Sequence, residues 1–74
     1  MSRYFAGDVE VGDRITAGQV LPVQSGDKYV PVVVQRDQRV VVVRSADDPL
    51  RVTIGCSDYT FTLRRDATVK VAES

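Results

Sequence analysis

The chain has 74 residues, of which 43% are hydrophobic and 27% are charged, a composition typical of a folded globular domain rather than of a disordered segment. This length is enough for one hydrophobic core, so we treat residues 1–74 as a single domain. Ten basic and ten acidic side chains cancel, which removes the general electrostatic attraction for nucleic acids and anionic membranes.

The residue types present argue against most catalytic chemistries. The chain contains no histidine and one cysteine, Cys56, whereas nucleophilic triads and the common zinc sites use histidine or several cysteines. No phosphate-binding glycine motif occurs. We therefore expect a protein that is not an enzyme and has no metal, cofactor or small-molecule substrate, with Cys56 as a small buried core residue.

The apolar runs of the sequence are short. The longest, residues 30–34 and 40–43, fall far below the roughly 20 residues that span a bilayer, and the amino terminus lacks the apolar stretch of a secretory signal. A single cysteine also suits a reducing compartment. These features predict a cytoplasmic protein with no membrane association.

In chain order, β-branched residues alternate with turn formers at intervals of about ten residues, a spacing typical of a small β-sandwich or barrel. Gly12 and Asp13 predict a turn that leads into a strand, and the SGDK tetrapeptide predicts a second turn before a strand at about 29–35. Pro31 within that strand indicates a strand start, a bulge or a sheet edge, because proline donates no ladder hydrogen bond.

Two valine-rich runs, YVPVVVQ and RVVVVRS, predict a central hairpin joined by the three-residue connector 36–38. Three further strands are predicted from RVTIGC, YTFTLRR and TVKVA, in which apolar and polar residues alternate. Six aspartates fall at the predicted turns, where turn chemistry accounts for them: Asp27, Asp37, Asp47, Asp48, Asp58 and Asp66.

These elements predict an all-β fold, a small SH3-like antiparallel β-barrel or roll of about five to six short strands. The segment VEVGDRI also resembles the opening strand of many SH3-like small barrels, where a Gly-Asp turn precedes an apolar strand. The alternation of Tyr59 with Phe61 and Leu63 predicts that all three face inward. With the three-residue connector, we expect the core to contain Val32, Val34, Val40, Val42, Val52, Ile54, Phe61, Leu63, Val69 and Val71.

The valine runs also place apolar side chains on the opposite face of the predicted hairpin. Val33, Val41 and Val43 would form a stripe there, and water contact with such a stripe is unfavourable. Either another chain covers it, or the amino-terminal segment with Tyr4 and Phe5 does. The first option predicts an interaction module that acts through a protein surface, as a homodimer or within a larger assembly.

Arginines flank the predicted connectors and suggest a second possibility. With Tyr29 as a stacking surface, they could form a nucleic-acid-binding barrel surface, although aspartates in the same loops would weaken its field and solvated surface charge is the simpler interpretation. The candidate residues for this alternative are Tyr29, Arg36, Arg39, Arg44, Arg51, Arg64 and Arg65.

Overall fold

A computed structural model describes the backbone of residues 2–72 and the side chains of residues 4–72. The described chain is antiparallel β-structure with one short 3-10 helix, Ala6–Asp8, which confirms the all-β prediction. It contains eight strands, more than the five or six expected: β1 (Ser2–Phe5), β2 (Arg14–Ile15), β3 (Val20–Ser25), β4 (Lys28–Val33), β5 (Gln38–Ser45), β6 (Arg51–Cys56), β7 (Thr60–Arg64) and β8 (Thr68–Ala72).

The strands form a six-stranded sheet in the order β1-β8-β2-β5-β6-β7 and a separate hairpin of β3 and β4. Within residues 2–72, no ladder joins the edge strands β1 and β7. The sheet is nevertheless strongly curved, because the 3-10 helix that follows β1 contacts β6 and β7. Ala6 and Gly7 donate backbone hydrogen bonds to the carbonyls of Ala67 and Arg65, at 2.7 and 3.1 Å. The core lies inside this curve.

The alternating pattern of the last three strands correctly predicts their inward faces. Eight of the ten expected core residues are buried, and Val32 and Val42 are only partly buried. Ala6, Val9, Ile15 and Leu21 complete the core from segments outside the predicted list. Tyr59 is 39% exposed, contrary to expectation, because it precedes β7 rather than lying within it.

The valine run in β5 is interrupted by a β-bulge. Val40 pairs with Cys56, but the next paired residue is Val42, opposite Gly55, so Val41 is the extra residue. A bulge of one residue moves the following side chains to the other face of the strand. Val43 therefore lies opposite the buried Ile54 and packs against the core.

The predicted central hairpin is wrong. Strand β4 pairs with β3 through the two-residue turn Gly26-Asp27, while β5 lies between β2 and β6. Gly26 has a φ of +63° at the first turn position and Asp27 has a negative φ, as in the type II′ turns that suit two-residue hairpins. This local turn is favoured over the predicted charged connector 36–38. Residues 34–37 instead carry the chain from β4 to β5, and Gln38 begins β5.

Prolines on both edges isolate the β3–β4 hairpin. Pro22 lies directly opposite Pro31, and a pair without N–H groups must be a non-hydrogen-bonded pair whose backbone nitrogens point away from the partner strand. Pro22 therefore offers no donor on the outer edge of β3, which packs near β7 without a ladder. Of the three settings predicted for Pro31, the structure shows the sheet edge.

Candidate functional site

The predicted stripe of Val33, Val41 and Val43 does not form. Val33 lies on the hairpin, Val41 lies on the six-stranded sheet at the bulge, and Val43 is half-buried against the core. The stripe required β4 and β5 to pair without a bulge, and neither condition holds. The amino-terminal alternative is also wrong, because Val33 and Val41 remain 49% and 53% exposed and Phe5 is itself exposed.

The outer face of the hairpin is the first candidate surface. It consists of three successive cross-strand pairs, Val20 with Val33, Pro22 with Pro31 and Gln24 with Tyr29. These pairs alternate with the Leu21–Val32 and Val23–Val30 pairs. Leu21, Val23 and Val32 pack into or against the core, whereas Val30 is 40% exposed. We call the surface formed by Val20, Pro22, Pro31 and Val33, with Tyr29 at its end, the hairpin face. All five of these residues are exposed.

Tyr29 links the hairpin face to the outer surface of β6. Arg51 Nε donates a hydrogen bond of 2.7 Å to the Tyr29 hydroxyl oxygen, and the guanidinium carbon lies 5.7 Å from the ring centroid. The hydrogen bond to Tyr29 raises the pKa of Arg51, so the guanidinium stays protonated at all relevant pH values. These two contacts hold the free end of the hairpin against the six-stranded sheet.

A polar groove of about 340 Å³ lies beside this contact, and it contains part of the predicted arginine set. Arg44 and Arg51 line it with Asp47 and Asp48. Arg51 lies 3.9 Å from the Asp48 carboxylate, and Arg64, just beyond the groove, lies 3.1 Å from Asp66. The structure thus brings these arginines close to aspartates, which reduces the positive potential that a phosphate backbone requires.

The other predicted arginines lie elsewhere or have other partners. Arg65 donates from Nε to the Pro49 carbonyl at 2.8 Å and from Nη2 to the Ser45 hydroxyl at 3.3 Å, so it braces the loop between β5 and β6. Arg36 is exposed in the connection between β4 and β5. Arg39 lies in β5 directly opposite Arg14, a residue that the sequence analysis did not single out.

Gln38 is a structural polar residue that the sequence analysis assigned to a connector. It is fully buried at the start of β5, and its Nε2 donates to the Arg36 carbonyl and to Asp58 Oδ2, both at 3.2 Å. Its Oε1 accepts the backbone N–H of Asp58 at 3.1 Å. Gln38 therefore joins the β4–β5 connection to the turn before β7. Both polar atoms of its side-chain amide have hydrogen-bond partners.

Cys56 is a buried thiol in the core at the end of β6, 9% exposed, and burial raises its pKa. Because the thiolate is the reactive form, we expect iodoacetamide to modify Cys56 in the folded protein far more slowly than free cysteine at neutral pH. The rate should approach that of free cysteine in concentrated urea. Equal rates in the folded and unfolded protein would contradict this assignment.

No protein-family model, curated protein sequence or solved structure matches the chain. Within the described residues, no group of three or more cysteine, aspartate or glutamate side chains is close enough together to hold a metal ion. No helix in that part of the chain is both long and apolar enough to cross a membrane.

Proposed function

We propose that the protein is a non-catalytic interaction module that pairs with a second copy of itself through the hairpin face. The observation that carries this proposal is the row of exposed apolar residues on a hairpin that is attached to the body mainly along its other face. Val20 is 56% exposed and Val33 is 49% exposed, and the two exposed prolines lie beside them.

The charge of the chain supports a second copy as the occupant. A formal net charge of zero means that two copies do not repel each other at long range. The hairpin face itself carries no ionisable residue other than Tyr29 at its end. A two-fold axis through the Pro22–Pro31 pair would place Val20 and Val33 of each copy against apolar groups of the other.

The size of the surface sets the expected strength. Typical stable interfaces bury about 800 Å² per partner, and a two-stranded face of five side chains offers less than that. We therefore expect a weak dimer with a dissociation constant in the micromolar range.

We further propose that the curved sheet and the hairpin together form an SH3-like roll that functions in the cytoplasm. The contacts of the 3-10 helix with β6 and β7, and the packing of β3 near β7, support a roll. The single buried thiol, Cys56, is compatible with a reducing compartment.

Changing Val33 to glutamate tests the proposed dimer. Symmetry places two new carboxylates in one interface, so we expect sedimentation velocity to show a dissociation constant raised at least tenfold, with an unchanged far-ultraviolet spectrum. The matched control is Val41→Glu, a similarly exposed valine on the other sheet, which should leave association unaffected.

Two results would overturn the proposal. Wild-type protein that remains monomeric at several hundred micromolar would exclude a dimer of useful strength. Dissociation by Val41→Glu but not by Val33→Glu would place the interface on the six-stranded sheet instead.

A further inference from the structure

The outer face of the six-stranded sheet carries cations that the arginine–aspartate groove does not include. Arg14 in β2 pairs with Arg39 in β5 on one side and with Ala72 in β8 on the other. Lys70 lies two residues before Ala72, on the same face of β8, because Val69 and Val71 point into the core. We call Arg14, Arg39 and Lys70 the basic row. All three residues are exposed.

The two arginines lie directly opposite each other in the β2–β5 ladder. The Val40 N–H donates to the Asp13 carbonyl at 2.8 Å, which makes Arg14 and Arg39 a non-hydrogen-bonded pair, the arrangement with the closest side chains. Like charges directly opposite each other destabilise a sheet. An anion that both guanidinium groups bind would remove that repulsion, and guanidinium groups match phosphate oxygens in geometry.

In the described part of the chain, the acidic residues around the basic row offset only part of its charge. Arg14, Arg39 and Lys70 form no ion pair with a described carboxylate. Asp13 lies beside Arg14 and Arg39 and offsets part of their charge, while its Oδ2 accepts the backbone N–H of Glu10 at 2.9 Å. Glu73 follows β8 and lies outside the described residues. Arg14 and Arg39 therefore outnumber Asp13, the one carboxylate among the described residues that line the pocket beside them.

An aromatic ring lies at the far end of the same face. Phe5 is opposite Thr68 in the β1–β8 ladder and is 56% exposed. Arg3 occupies the register position opposite Lys70, between Phe5 and the arginine pair. From the spacing of strands and residues, Phe5 and Arg39 are roughly 20 Å apart across the sheet.

We propose that this face binds single-stranded nucleic acid, with the basic row contacting phosphates and Phe5 stacking on a base. An unpaired strand is favoured over a duplex because an exposed ring on a sheet stacks on unpaired bases, whereas it adds nothing to contacts with a duplex backbone. This inference is independent of the proposed dimer, since the hairpin face lies on different strands.

Fluorescence anisotropy with a labelled twelve-residue oligothymidylate tests the proposal at several salt concentrations. Three phosphate contacts predict a slope of about −2 for the logarithm of affinity against the logarithm of salt concentration. The double variant Arg14→Gln, Arg39→Gln should bind at least tenfold more weakly and lose about 1.4 from the magnitude of that slope. Phe5→Leu should weaken binding at least fivefold with the slope unchanged.

The matched control is the double variant Arg44→Gln, Arg64→Gln, which changes the net charge equally but alters the groove side of the molecule. It should bind within about threefold of the wild type, as expected when long-range charge alone changes. Because removing one arginine relieves the repulsion between Arg14 and Arg39, the melting temperature of Arg39→Gln should be no lower than that of the wild type. A loss of affinity in this variant would then reflect lost contacts with the oligonucleotide and not unfolding.

Three outcomes would overturn the inference. The first is the absence of salt-dependent binding of the oligonucleotide by the wild type at low salt. The second is a loss of affinity in the control as large as that of the Arg14–Arg39 variant, and the third is tighter binding of a duplex of equal length than of the single strand. Chemical shift changes confined to the backbone amides of β1, β2, β5 and β8 on titration with the oligonucleotide would support it.

Discussion

Replacing Ile54 by alanine is expected to lower the free energy of unfolding by about 2 to 5 kcal/mol. Ile54 is fully buried in β6, between β5 and β7, so the change removes three carbons from the centre of the core and leaves a cavity there. Domains of this size are stable by only about 0.05 to 0.15 kcal/mol per residue, so the variant should lose a large fraction of its stability.

Urea denaturation followed by circular dichroism at low protein concentration measures this loss without a contribution from association. Phe61→Ala, also in the core, should cost a similar amount. The control is Val41→Ala, at an exposed position, which should stay within about 0.5 kcal/mol of the wild type. Wild-type stability of Ile54→Ala would show that the core is not centred on β6.

Replacing Gly55 by alanine is expected to destabilise the protein by about 1 to 3 kcal/mol, through overpacking. A Cβ at this position would overlap Cγ1 of Val42, the residue opposite it just after the bulge. Gly55 does not have a positive φ, so alanine is compatible with its backbone and would otherwise stabilise the strand by about 0.5 to 1 kcal/mol. A lower stability of Gly55→Ala would therefore indicate that the new Cβ overlaps Val42, and a higher stability would indicate that it does not.

A double-mutant cycle with Val42→Ala isolates that contact. The second change removes Cγ1 of Val42, so the double variant Gly55→Ala, Val42→Ala should be more stable than the sum of the single changes predicts. Thermal and urea denaturation of the four proteins measure the difference. Strict additivity, or a stabilising Gly55→Ala on its own, would contradict the described packing of the bulge.

The sequence was most informative where apolar and polar residues alternate. Strand β6 was predicted with its exact bounds, β7 and β8 were placed correctly, and Val52, Phe61 and Leu63 face inward as expected. Alternation is a local property, and each of these strands is half-buried. The turn at Gly26 was also predicted, because glycine at positive φ is a local requirement.

Pairing between strands was predicted poorly. The two valine-rich runs have similar compositions, so composition alone does not show which strands pair. The sequence predicted a β4–β5 hairpin, but β4 pairs with β3, and β5 pairs with β2 and β6. The bulge at Val41 has no signature within a run of four valines, and it alone decides that Val43 faces the core. The hypothesis of a valine stripe failed for these two reasons.

The candidate surfaces show the same division between local and non-local information. Asp48 is close in sequence to Arg51, and Asp66 is close to Arg64. The sequence could therefore predict that aspartates reduce the positive potential of these arginines. The Arg14–Arg39 pair is separated by 25 positions and depends on the two-residue strand β2. A strand that short has too few residues to establish a pattern, and the basic row was missed for that reason.

The edge prolines of the hairpin also have a consequence for fibril formation. Runs of valine with low charge are the segments that most readily stack into cross-β fibrils, and this chain has two of them. One run lies in β5, where both edges are already paired with β2 and β6. The other lies in β4, where Pro31 interrupts the exposed edge and denies an incoming strand a hydrogen-bond donor. In the proposed dimer the hairpin would therefore associate through its face, while the edge of β4 offers no uninterrupted template for strand-by-strand growth.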